Sequence, residues 1–65
     1  MSHEAFCRSI TEMIADGGFW GIPRSGLVFK FFKETQTMLL VAGDPDHPDV
    51  AATRVEFAKI GWTVS

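Results

Sequence analysis

The chain has 65 residues, with six basic and eight acidic side chains for a net charge of −2, 46% apolar residues and one cysteine. That length admits one domain, residues 1–65, near the lower limit at which only about 60% of the unfolded chain's surface can be buried. A single cysteine excludes an intramolecular disulfide and zinc sites built mainly from cysteines, and the acidic balance excludes a general attraction to nucleic acid or anionic membrane.

The first element is a helix. Phe6, Ile10, Met13, Ile14 and Gly17 recur at helical spacing with Cys7 beside them, Ser2 is a suitable N-cap, and Glu4, Arg8 and Glu12 form a ladder on the outer side. Gly17-Gly18 ends it. Cys7 lies inside an apolar-periodic segment with no apolar leader before it, which points to a reducing compartment and a cytoplasmic location.

Residues 19–26 then read as an irregular connector, because three glycines among residues 18–26 and Pro23 weaken a regular ladder. Phe19, Trp20 and Arg24 in this segment are residue types that dominate protein interfaces, so they are candidate binding residues. The competing reading is that the two aromatics fold back to close the end of a small core.

Leu27 to Lys33 alternate as a strand, with Leu27, Phe29 and Phe31 on one side and Val28, Lys30 and Phe32 on the other. Glu34-Thr35 form the tip of a hairpin, and Thr37 to Ala42 are a second strand, apolar on both faces. Its run Met38 to Ala42 is the longest wholly apolar stretch, far short of the roughly 20 residues that span a bilayer, so no membrane partner is expected.

After the turn Gly43 to Pro48, the residue before proline is driven out of the helical region, which makes His47 a cap and Pro48 the first residue of a second helix. That helix runs to about Ile60 with Val50, Ala51, Val55, Phe57 and Ala58 as its apolar stripe, and Gly61 stops it. Trp62 to Val64 form a third short strand.

The expected fold is therefore α+β: helix, strand, strand, helix, strand, with a three-stranded sheet and both helices on one face. A strand-helix-strand crossover makes the last strand parallel to the 37–42 strand. The spatial order that keeps every connection short places the last strand beside the 27–33 strand instead of beside 37–42.

The residues offer little chemistry. Asp44, Asp46, His47 and Asp49 gather potential hard ligands, but their spacing departs from a calcium loop, so no metal or other cofactor is expected. His3 and Cys7 lie four apart without a third group to complete a catalytic set. Interleaved Phe29, Lys30, Phe31, Phe32 and Lys33 suit a nucleic-acid-binding sheet in type, yet with a net negative charge they read as core and surface of a strand. Arg54, amid the apolar stripe, is expected to lay its stem over apolar surface or to pair internally.

Two helices cannot cover both faces of such a sheet. Val28 and Phe32, pointing away from the helices, join Phe19, Trp20 and Arg24 as candidate binding residues. The expected function is a small non-enzymatic interaction or regulatory module that forms a homo-oligomer, most simply a dimer, or meets a protein partner through the apolar sheet face or the aromatic segment. The alternative is a small-molecule or metal-binding component of an enzyme.

Overall fold

The computed structural model describes residues 3–65, so Ser2, the expected N-cap of the first helix, lies outside the described residues. The elements are α1 (His3–Met13), β1 (Phe19–Ile22), β2 (Leu27–Phe32), β3 (Thr37–Ala42), α2 (Pro48–Ala58) and β4 (Thr63–Val64). The sheet has four strands in the order β1-β2-β3-β4, with antiparallel β1-β2 and β2-β3 pairs and a parallel β3-β4 pair.

The α+β class and the placement of both helices on one face hold, and the number and order of strands are corrected. Residues 19–22 form a strand where an irregular connector was expected. Phe19, Trp20, Gly21 and Ile22 alternate outward and inward, Gly21 pairs with Val28 without breaking the ladder, and Pro23 falls just beyond the last pair. Four alternating residues with three large apolar side chains outweigh one glycine. Because β1 takes the free side of β2, the last strand cannot pair there. It joins β3 instead, through Thr37 opposite Thr63 and Met38 opposite Val64, with the parallel direction that the crossover demands.

α1 stops at Met13 instead of continuing to Gly17. Gly17, at φ +79°, turns the chain back toward the sheet. Its N–H reaches the Phe31 carbonyl at 2.7 Å, and Phe31 N–H returns to the Gly18 carbonyl at 2.9 Å. Asp16 adds an acceptor for the Lys33 N–H at 2.9 Å, so this corner feeds directly into β1. The β2-β3 hairpin turns over residues 33–36, longer than a two-residue loop, with Gln36 at φ 52°.

At α2 the structure follows the expected cap. His47 is extended at φ −60°, ψ 136°, and its Nδ1 accepts the Asp49 N–H at 3.0 Å. Gly61, at φ +86°, closes the other end in the Schellman pattern, its N–H on the Ala58 carbonyl at 3.1 Å and the Trp62 N–H on that of Phe57 at 3.0 Å.

The core lies between the helices and the sheet. Leu27, Phe29, Phe31 and Met38 from the sheet are fully enclosed by Cys7 and Ile10 of α1, Val50 and Phe57 of α2, and Trp62 and Val64. Two expected core faces are corrected. Phe6 and Met13 on α1 are exposed, and on α2 the buried line is Val50, Thr53 and Phe57, leaving Ala51, Val55 and Ala58 outside. Thr53 can occupy that line because its hydroxyl donates to the Asp49 carbonyl at 2.7 Å and carries no unmet polar group inward.

Candidate functional site

The five candidate binding residues do not converge. Alternation along β1 and β2 divides them between two surfaces on opposite sides of the sheet.

Phe19, Val28 and Phe32 share the outer face, with Lys30 between them. The register pairs Phe19 with Lys30, and Lys30 with Leu39 of β3. No helix among the described residues covers this face. Phe19 is 61% exposed, and Leu39 and Val41 are exposed too, Val41 at an irregularity where Val28 opposes Ala42 and Phe29 opposes Leu40. The Lys30 ammonium sits 5.7 Å from the centre of the Phe19 ring and 5.5 Å from that of Phe32. Two ring faces thus partly compensate the one charge in the patch.

Trp20 faces the other way, into the core edge. Its ring stacks on Phe29 at 6.1 Å, meets Phe57 at 5.7 Å and takes the edge of Phe6 at 6.5 Å. Of the two aromatics of this segment, Trp20 therefore folds back to close the core while Phe19 remains outside. Arg24, in the β1-β2 turn, reaches across to α2, with Nε 3.2 Å from Asp49 Oδ2.

Trp20 and Arg24 belong to a cleft of about 440 Å³ bounded by α1, α2 and the β1-β2 turn. Phe6, Cys7, Trp20, Ile22 and Phe57 supply its apolar lining. Asp49 with Arg24 stands toward one end of α2, and Glu56 with His3, whose Nδ1 is 3.5 Å away, stands two turns along. Ala52 and Thr53 lie between those carboxylates on the same side of α2. Their small side chains leave the space that larger residues would fill.

The remaining candidates take structural roles. The Asp46 N–H bonds Asp44 Oδ1 at 2.9 Å, His47 caps α2, and Asp49 binds Arg24. Among the described residues no group of three or more His, Cys, Asp or Glu side chains is placed to hold a metal ion. His3 turns to Glu56, while Cys7 is buried, and burial, followed by the nearby Glu56 charge, pushes its thiol pKa up. A raised thiol is a poor nucleophile. Arg54 donates from Nε to the Val64 carbonyl at 3.3 Å, an internal tie to backbone.

No helix among the described residues is long and apolar enough to cross a membrane. No family model, no curated protein and no solved structure matches the chain.

Proposed function

We propose that the chain is a non-enzymatic interaction module that associates through the outer face of its sheet, most simply as a two-fold dimer. The observation that carries this reading is the patch of exposed Phe19, Leu39 and Val41 with half-buried Val28 and Phe32 around Lys30. A contiguous apolar surface of this kind on so small a domain has a cost in water that a second copy relieves. The two rings offset part of the Lys30 charge, and its long stem lets the ammonium keep water on its donors while the stem lies along the face. Association also adds buried area to a domain whose own core is small. The free, buried Cys7 is in keeping with a reducing compartment, and we place the module in the cytoplasm on that ground.

Light scattering after size exclusion at tens of micromolar tests the proposal. The expected mass is at least twice the 7.2 kDa of one chain, with Leu39→Lys and Phe32→Lys both returning it to one chain mass while the fold persists. A folded wild-type monomer under those conditions overturns the dimer. The cleft beside α2 supports a second reading, a small-molecule-binding role.

A further inference from the structure

We propose that the cleft between α1, α2 and the β1-β2 turn binds a small organic cation, an alkylated ammonium group on an apolar body. The site is separate from the outer sheet face and does not depend on association through it.

Its volume, about 440 Å³, falls within the roughly 300–1,000 Å³ of small-molecule sites. Three aromatic rings line it in mutual contact, Phe6 on Trp20 and Trp20 on Phe57. Ring faces attract cations, tryptophan most strongly, and the attraction grows where water is excluded.

The charges around these rings are unequally placed. The side chains of Asp49 and Glu56 are 20% and 27% exposed, whereas those of Arg24 and His3, which answer them, are 80% and 82% exposed. Solvent screens the outer Arg24 guanidinium more than the inner carboxylates, so the field inside the cleft is negative. Lys59, the other partner of Glu56 at 3.3 Å, is also mostly in solvent. At the floor, Glu56 raises the Cys7 thiol more than Lys59 lowers it, in agreement with that sign.

Alkylation is what the apolar lining selects. A primary ammonium brings N–H donors that lose their water and find few acceptors there, while a quaternary group carries its charge on methyl surface and has no donor to leave unmet. An anion would have to detach Arg24 from Asp49 and would still face Glu56.

Choline and its neutral carbon isostere, dimethylbutanol, provide the test, followed by proton–nitrogen correlation NMR on the full chain. The two tryptophans act as paired reporters, since Trp20 lines the cleft and Trp62 packs on Phe31 away from it. Choline should move the Trp20 indole and the amides of Cys7 and Thr53, leave the Trp62 indole in place, and bind at least about fivefold more tightly than the isostere. Glu56→Gln should weaken choline severalfold without changing the isostere. Leu39→Lys should leave choline binding intact, which separates this site from the sheet face. Equal binding of the two probes, shifts centred on Trp62, or no response to choline at tens of millimolar overturns the proposal, and the wild-type comparison decides even if Glu56→Gln fails to fold.

Discussion

The Arg54 guanidinium donates from Nε to the backbone carbonyl of Val64 at 3.3 Å, tying the middle of α2 to the last strand. β4 is two residues long, and its ladder with β3 is correspondingly brief. Arg54→Ala should cost about 1 kcal/mol. Amide exchange at Ser65, whose N–H bonds the Met38 carbonyl at 2.8 Å, should quicken more than exchange in β2. Uniform acceleration across the sheet would show that the tie is not local.

Trp20 contributes to the core edge through Phe29 and Phe57. Trp20→Ala should destabilise by about 3 kcal/mol, a large share of the total for a domain this small. Phe19→Ala, on the opposite face, should leave stability almost unchanged when both variants carry Leu39→Lys to remove association through that face. Urea denaturation of both variants separates the neighbours; equal losses would contradict the alternation of β1.

Gly43 and Gly26 both adopt positive φ, +100° and +71°. A β-carbon at Gly43 would meet Leu27 Cδ2 at 2.7 Å and the Gly26 carbonyl oxygen at 3.0 Å, whereas one at Gly26 meets nothing within 4 Å. Gly26→Ala should cost about 1 kcal/mol, the strain of the left-handed conformation alone. Gly43→Ala should cost at least about twice that, because backbone as well as side chain must give way. Thermal melts of the two variants provide the comparison.

Burial raises the Cys7 thiol pKa, with the Glu56 charge acting in the same direction. Below pH 9.0, the ordinary thiol value, folded and unfolded chains both retain the proton. Above it the unfolded chain releases a proton that the folded chain keeps, so stability falls as pH rises from there through the folded-state value. Denaturant midpoints should decline over this range, and Cys7→Ala should decline less. Identical slopes for the two proteins would show that lysine titration accounts for the whole effect.

His47→Ala should cost about 1 kcal/mol through loss of the acceptor for the Asp49 N–H. His47→Asn, which restores a side-chain acceptor at the same position, should recover most of it. Failure of asparagine to rescue would assign the loss to packing of the imidazole.

Legibility in the sequence followed how local the signal was. Both helices, the alternation of Leu27 to Phe32 and the cap at His47 rest on short-range spacing, and the structure has them. β1 was hidden because Gly21 and Pro23 are judged as breakers in isolation, whereas Val28 pairs with Gly21 across the ladder and Pro23 falls just beyond its last pair. The strand order followed from that omission, since an unseen strand held the place beside β2. Thr53 was passed over in the core of α2 because its polarity is cancelled only by the Asp49 carbonyl one turn back. The outer sheet face was readable from the two-sided apolar pattern of β3. The cleft was not, because it arises from what Ala52 and Thr53 leave unfilled between two helices.

The sheet ends on strands of four and two residues. So little unpaired backbone at either rim gives an incoming strand few rungs on which to extend the ladder. Stacking through a single face covers that face on each copy, whereas growth along a rim would renew the contact at every step. Assembly by this chain should therefore stop at a closed pair, and concentrated solutions should stay clear instead of forming fibres.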